Sequence, residues 1–157
     1  MGVAKVQFRK LRRTAVDPRR GTTHSAGIDL ATDKSFGIKC GERLIITTGL
    51  SAKLPKGTYG KLEPRSGLAA KFGIDPAAWF LDGYDEPVLA GVIDCDYRGE
   101  LKIVLVNTGS KYATFKAGEY VAQMIVRGYV DAEIEMVWDA EFDETDRGDG
   151  GFGSTDG

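Results

Sequence analysis

Alternation of apolar and polar side chains is the feature that most limits the fold of this chain. The stretches "KVQFRKL" and "AEIEMVW" alternate, "ERLIITTGLSAKLP" is β-branched and ends at a proline, and "GELKIVLVN" and "EYVAQMIVRGYV" indicate further strands. A period of two places successive side chains on opposite faces of a strand. Glycine or proline separates the runs, in "PKGTYG", "YRGE" and "KAGE". Many short strands at close spacing predict an all-β antiparallel sandwich or barrel rather than βαβ units.

One stretch, "SGLAAKFG", predicts a short helix instead. We expect Ser66 to be its N-cap and Gly73 to close it, with three good helix formers between them. Backbone amides at the start of a helix are suited to face an anion.

Charge and composition exclude several classes of protein. The 157 residues suit one domain, and a net charge of −2 argues against a protein that coats nucleic acid. The early basic stretches "RKLRR" and "DPRR" fit a solvated edge better than a nucleic-acid patch. No apolar run approaches the roughly 20 residues of a membrane span, and the start lacks the apolar centre of a signal peptide. We expect no stable nucleic-acid binding and no membrane insertion.

The cysteines indicate a reducing compartment. Cys40 and Cys95 form neither a disulfide framework nor a CxxC zinc motif. We therefore expect an intracellular protein, and the sequence leaves open the cytoplasm, the nucleus or a virus-infected cell.

The strand pattern stops at Asp143, so we expect a β domain over residues 1–142 and a flexible C-terminal arm over 143–157. The arm reads "DETDRGDGGFGSTDG" and contains one large apolar residue. Such a segment is mobile alone and orders on a ligand or a neighbouring subunit. Arg147, Phe152, Ser154 and Thr155 are groups that hold phosphates and cover a flat ring, which a plain linker does not need.

Two stretches place polar groups near the predicted helix or inside an apolar strand. Asp29 in "SAGIDL" lies in an apolar strand, so either neighbouring amides satisfy it or it has a functional role. Arg65 and Ser66 in "EPRSGLA" form a turn that suits phosphate oxygens, or simply a capped helix.

Two further stretches carry acids and an amide. Asp94 and Asp96 in "GVIDCDYRGE" would share one face of a strand, which brings like charges close together. They form either part of a functional site or the polar rim of a hairpin. Gln123 in "GEYVAQMIV" needs partners, which either a core hydrogen bond or a ligand would supply.

Taken together and in order, five stretches resemble the five motifs of the homotrimeric dUTPases: "AGIDL", "PRSGLA", "AGVIDCDYRGE", "GEYVAQMI" and "RGDGGFGST". The likeness covers nearly the whole chain. It implies a jelly-roll-like antiparallel β-barrel with one short helix and a C-terminal arm. It also implies a homotrimer whose active sites are each assembled from more than one subunit, with the arm reaching a neighbour's site.

The resemblance implies a reaction as well. The family cleaves dUTP to dUMP and pyrophosphate by water attack on the α-phosphate, which keeps uracil out of DNA and supplies dUMP for thymidylate synthesis. Asp94 matches the catalytic carboxylate that activates the water. Mg²⁺ is expected on the triphosphate, with Asp29 reaching it through water.

The resemblance also implies the substrate contacts. Uracil is expected against the backbone of a hairpin from Gly91 to about Lys102, including Val92 and Ile93, and Tyr97 packs under the deoxyribose. The phosphate contacts are expected from Arg65, Ser66 and Gly67, from Gln123 near the α-phosphate, and from Arg147 at the γ-phosphate. In the arm, Phe152 matches the ring that stacks on uracil, and Gly153, Ser154 and Thr155 complete the binding residues.

One segment departs from the family pattern. Residues 76–87, "PAAWFLDGYDEP", are an insertion that contains Trp79, Phe80 and Tyr84. Either this loop buries its own aromatics, or it binds an additional protein partner or a trimer neighbour.

Two other functions compete with dUTP hydrolysis. The dCTP deaminases share the implied fold but need a catalytic glutamate, for which "GVIDCDYRGE" offers no convincing candidate. The second is a binding protein that has the same barrel but no catalytic activity. All five motifs keep their chemical residues, which argues against this alternative.

Overall fold

The computed structural model describes residues 4–75, 91–138, 143–146 and 148. These residues contain eleven strands and one helix, α1 (Ser66–Phe72). The strands are β1 (Gln7–Lys10), β2 (Ile28–Ala31), β3 (Phe36–Ile38), β4 (Arg43–Thr47), β5 (Leu50–Lys53), β6 (Thr58–Glu63), β7 (Ile74–Asp75), β8 (Val92–Asp94), β9 (Lys102–Asn107), β10 (Ala113–Phe115) and β11 (Tyr120–Gly128).

The strands pair in antiparallel fashion in four small sheets. The orders are β1–β5, β10–β3, β2–β11–β6–β8 and β4–β9–β7. Neighbours in each sheet are distant in sequence, as in a strand topology with crossovers. The predicted all-β class with one short helix is confirmed, and its jelly-roll-like form is compatible with this pairing.

The core is made by the inward faces of these sheets. Fully buried apolar side chains come from different sheets, among them Leu30, Ile38, Leu105 and Met124. In β6 the buried Gly60 and Leu62 alternate with half-buried polar neighbours. The alternation in the sequence therefore marks which face of each strand is buried.

The stretch "ERLIITTGLSAKLP" is not one strand, contrary to the strand pattern read from it. It is divided into β4 and β5, which pair with β9 and β1 respectively. Gly49 lies at the break with φ +69, where glycine is strongly favoured. The chain therefore passes from one sheet to another at Gly49, and the β-branched composition of the stretch does not predict this.

The alternation of "AEIEMVW" also predicts a strand, and this prediction is wrong for the single chain. Residues 132–138 form no strand, and Ile134, Met136 and Trp138 are 88 %, 82 % and 95 % exposed. Alternation produces a strand only where a sheet edge supplies hydrogen-bond partners. In the described part of this chain, no edge pairs with the segment.

The helix is confirmed, but its predicted N-cap is wrong. Arg65 is the N-cap, with extended backbone at φ −86 and ψ 126, and no side chain caps the helix. The Arg65 carbonyl accepts hydrogen bonds from the amides of Leu68 and Ala69, so Ser66 is already helical. Gly73 is the C-cap as expected, with φ +65.

Among the described residues, no helix is both long enough and apolar enough to cross a membrane.

Candidate active site

The outward face of the four-stranded sheet carries three of the predicted polar site residues, Asp29, Asp94 and Gln123. Residues directly opposite each other in an antiparallel pair lie on the same face. Asp29 is opposite Gln123, Gln123 is opposite Glu63, and Asp94 is opposite Tyr59. All of them therefore share the face that points away from the core.

One end of this face, the arginine corner, surrounds a cavity of about 260 Å³. Arg65 is held in two directions there: its Nε lies 3.3 Å from Asp29 Oδ1, and its Nη1 donates to the carbonyl of Tyr120 at 2.8 Å. The Tyr120 ring lies 5.9 Å from the guanidinium carbon. The corner is lined by Asp29, Arg65, Ser66, Gly67, Leu68 and Gln123.

Asp29 is satisfied by a charge rather than by neighbouring amides. Its backbone bridges to Arg19, where each residue's amide donates to the other's carbonyl, at 2.7 and 3.3 Å. Its side chain is mostly buried and pairs with Arg65. A carboxylate this well covered is stable when it has such a partner.

Gln123 makes a hydrogen bond within the protein and also faces the cavity. Its Nε2 donates to the carbonyl of Pro64 at 2.8 Å, and the side chain also lines the cavity. A Cβ on Gly27 would overlap Gln123 Oε1, so Gly27 makes room for this amide. Sequence reasoning missed Gly27 and Tyr120, although a glycine just before a strand is a sign of close approach.

The other end, the carboxylate corner, is built around β8. Asp94 is exposed at the end of this strand, and its carbonyl accepts the Tyr97 amide at 3.1 Å. Asp96 lies in the resulting turn, so the expectation that both acids share a strand face is wrong. A cavity of about 550 Å³ is lined by Tyr59, Val92, Asp94, Cys95, Asp96 and Tyr129.

A tyrosine in this cavity stays neutral. Repulsion from Cys95, with burial and the charge of Asp131, raises the pKa of the Tyr129 phenol. An ordinary phenol is already protonated at pH 7, and the raised pKa keeps this hydroxyl a hydrogen-bond donor to a higher pH.

The segment from Gly91 to Lys102 joins two sheets and is not the two-stranded hairpin we expected. The Gly91 carbonyl accepts the Leu62 amide at 2.8 Å, and Val92 and Ile93 pair with β6. Lys102 instead lies opposite Thr47 in another sheet. The strands diverge because β8 and β9 each pair with a different neighbour.

The two corners are too far apart for Asp94 and Gln123 of one chain to contact the same atom. Asp94 in β8 is opposite Tyr59 of β6, and Gln123 in β11 is opposite Glu63, four residues further along β6. The strands β8 and β11 pair with opposite edges of β6. With standard strand dimensions, the Cα atoms of Asp94 and Gln123 are roughly 16 Å apart. One reacting phosphorus atom cannot contact both side chains.

The dUTPase family model matches residues 13–156. The chain belongs to the dUTPase family. It is 42 % identical over 153 residues to the deoxyuridine 5'-triphosphate nucleotidohydrolase of Paramecium bursaria Chlorella virus 1, covering 98 % of this chain and 99 % of that protein. The Candida albicans nucleotidohydrolase of the same name is 41 % identical over 138 residues, covering 88 % and 79 %.

A solved structure supports the fold of this dUTPase. A dUTPase of Staphylococcus bacteriophage 80alpha, solved with dUpNHpp, aligns with a TM-score of 0.78 over 96 % of this chain and 97 % of that one. The two are 22 % identical, so this likeness concerns the fold.

Several predicted site residues of this dUTPase lie outside the described residues. They are Arg147, Phe152, Gly153, Ser154 and Thr155 of the arm, together with the 76–87 insertion. The remaining site residues divide between the two corners and the turn that leads from Asp94 to Lys102.

The arginine corner suits a metal ion that a ligand brings with it. Within the described ranges, no three His, Cys, Asp or Glu side chains converge as a metal cage. Mg²⁺ commonly keeps several waters and binds one or two carboxylates plus substrate phosphates. Asp29, beside Arg65, is a carboxylate that fits this mode.

Proposed function

We propose that the outward sheet face of this dUTPase binds dUTP, and that water attacks its α-phosphate to give dUMP and pyrophosphate. Hydrolysis of dUTP is the activity of the family to which the chain belongs. The observation that carries the proposal is the match of nearly the whole chain to a viral nucleotidohydrolase at 42 % identity. Such a reaction removes uracil nucleotides before DNA synthesis and supplies dUMP.

The arginine corner binds the phosphates in this proposal. Arg65 is oriented by Asp29 and Tyr120, and an oriented guanidinium is well suited to phosphate oxygens. A Cβ on Gly67 would meet no atom within 4 Å, so the protein's own packing does not require glycine there. Close approach of a phosphate is a reason for it. Ser66 and Gln123 complete the set on the cavity wall.

The carboxylate corner supplies the base and reads the nucleoside. Asp94 orients and deprotonates the attacking water, because neutral water is a poor nucleophile. The backbone of Gly91, Val92 and Ile93, with Lys102 at the end of the segment, contacts uracil. Tyr97 packs under the deoxyribose, where a ribose hydroxyl would clash.

The protein acts as a homotrimer with shared sites. The arginine corner of one subunit meets the carboxylate corner of another, since the two are roughly 16 Å apart within a chain. Exposed apolar side chains support an assembly: Val92 is 58 % exposed, and Ile134, Met136 and Trp138 follow the last strand.

Magnesium fits the arginine corner, where Asp29 would hold it through water. The bound ion supplies charge neutralisation of the triphosphate. A structural Mg(II) ion is described for the dUTPase of phage phi11 of S. aureus, whose fold aligns with a TM-score of 0.70 at 21 % identity, over 88 % of this chain and 99 % of that one.

The arm over 143–157 closes the site on a β domain formed by 1–142. Arg147 contacts the γ-phosphate, Phe152 stacks on uracil, and Gly153, Ser154 and Thr155 wrap the phosphates. The 76–87 insertion, with its three aromatic residues, is an additional protein-binding surface. We place the enzyme inside the cell, in cytoplasm, nucleus or an infected host, because its substrate is an intracellular nucleotide.

The test is pyrophosphate release from dUTP, UTP, dTTP and dCTP by wild type and Asp94→Asn. We expect turnover of dUTP alone and a fall of about 10²–10⁴-fold in the variant. Asp17→Asn is the matched control, because Asp17 is exposed and pairs with Lys10 on the surface. Release of ammonia from dCTP, or a full rate in Asp94→Asn, would contradict the proposal.

A further inference from the structure

An arginine bridges two carboxylates behind the turn that follows Asp94. Arg12 Nε lies 2.7 Å from Asp33 Oδ2, and its terminal nitrogens bond both oxygens of Glu100. The Asp33 side chain is fully buried and also accepts the Thr47 hydroxyl. The Arg12 guanidinium is therefore fixed from one side by a buried acid, and it holds Glu100 on the other.

Glu100 is in turn attached to the bend between β4 and β5. Its Oε1 accepts the Gly49 amide at 2.9 Å. The next residue, Leu101, donates its amide to the Leu50 carbonyl at 2.7 Å, and its own carbonyl accepts the Thr48 hydroxyl at 2.7 Å. The chain at 100–101 is thus fixed by its backbone and by one ionised side chain.

The Tyr97 side chain is hydrogen-bonded to the backbone of Glu100. Its hydroxyl donates to the Glu100 carbonyl at 3.0 Å. A Cβ on Gly99 would overlap the ring, so Gly99 makes room for it within the turn. The residue is 43 % exposed. Its position therefore depends on where Glu100 is held.

We propose that Glu100, held by Arg12, is a positioning residue that fixes the Tyr97 ring and so sets the enzyme's preference for deoxyribose over ribose nucleotides. This inference rests on the proposed function, in which Tyr97 packs under the sugar. A ring that can recede leaves space for a 2'-hydroxyl. Loss of the network therefore relaxes sugar selection before it affects attack at the α-phosphate, which depends on Asp94.

The experiment compares kcat/KM for dUTP and UTP in wild type, Glu100→Ala, Arg12→Met and the double variant. We expect each single variant to lower the dUTP-to-UTP ratio roughly tenfold, since small misplacements of positioning groups have effects of this order or larger. The double variant should lower it no further, because both changes break one unit. Tyr97→Phe, which removes the hydroxyl donor, should give a similar loss.

Controls separate positioning from simple destabilisation. Arg13→Met removes a neighbouring exposed arginine and should leave the ratio unchanged. Glu100→Gln keeps an acceptor for the Gly49 amide without the charge, so it should retain part of the ratio. Variants that melt earlier but keep the wild-type ratio would overturn the inference.

A binding measurement distinguishes this failure from failure of the proposed function. The affinities of wild type and variants for dUMP and UMP are measured alongside turnover. If wild type does not hydrolyse dUTP, the proposed function fails, and loss of a dUMP preference in the variants still supports the role of Glu100. An unchanged dUMP preference in the variants, or no preference in wild type, overturns it.

Discussion

At the scale of single residues, the contacts that matter most join positions distant in sequence. Arg12 meets Asp33 and Glu100, and Gly27 makes room for the amide of Gln123. Motif positions predicted Asp29, Arg65 and Gln123 at one cavity, and the structure brings these three together. The Arg12 network carries no motif, since only the fold shows which of many charged residues are neighbours.

The Arg12 network predicts a loss of stability in acid. Burial acts to raise the pKa of both Asp33 and Glu100. Hydrogen bonds from Thr47 and Arg12 outweigh it at Asp33, so the pKa of Asp33 is lowered. Hydrogen bonds from Arg12 and the Gly49 amide do the same at Glu100. The stabilisation is fully present above the unfolded carboxyl pKa values of about 4. The stabilisation is lost as the pH falls through the lower pKa values that the two carboxyls have in the folded protein.

Denaturant unfolding of wild type and Arg12→Met between pH 7 and pH 3 checks this. Wild type should be more stable at pH 7 by about 1–3 kcal/mol, since a buried carboxylate loses its charged partner in the variant. The difference should shrink as the pH falls. A constant difference over this range would show that the network is not ionic.

Gly67→Ala separates stability from binding. Alanine should stabilise the helix by about 0.5–1 kcal/mol relative to glycine, and the added Cβ meets no protein atom within 4 Å. If a phosphate approaches this backbone closely, KM for dUTP should rise while the melting temperature rises or holds. An unchanged KM would remove Gly67 from the phosphate site.

At the scale of elements, the strand patterns located β1, β9 and β11, and a run of helix formers that ends at Gly73 located α1. The strand patterns failed at two points for one reason. Strand pairing is decided by partners, and "ERLIITTGLSAKLP" divides between two of them at Gly49. "AEIEMVW" has none in the described part of the chain.

Gly49→Ala tests the break between β4 and β5. The left-handed backbone at φ +69 should cost an alanine about 1–2 kcal/mol, and its Cβ would lie 2.9 Å from that of Ala15. Gly41→Ala is the matched control, with φ +74 and open space around the added Cβ. Equal destabilisation in denaturant unfolding would attribute the effect to backbone strain alone. A larger loss at Gly49 is expected.

At the scale of the whole molecule, the arginine corner and the carboxylate corner lie on one sheet face, roughly 16 Å apart. In the proposed function, the first binds the phosphates and the second supplies Asp94. The sequence motifs predicted these residues but not their separation, which follows from the register of β6 with β8 and β11. In the proposed function, a neighbouring subunit therefore completes each site.

Subunit complementation tests this claim most directly. Arg65→Ala and Asp94→Asn are each purified, shown to be inactive, then unfolded and refolded together in equal amounts. With shared sites and random mixing, about a quarter of the sites combine an intact arginine corner with a neighbour's intact Asp94. The mixture should therefore recover about a quarter of wild-type turnover. A mixture as inactive as its parents would show that each chain builds its site alone.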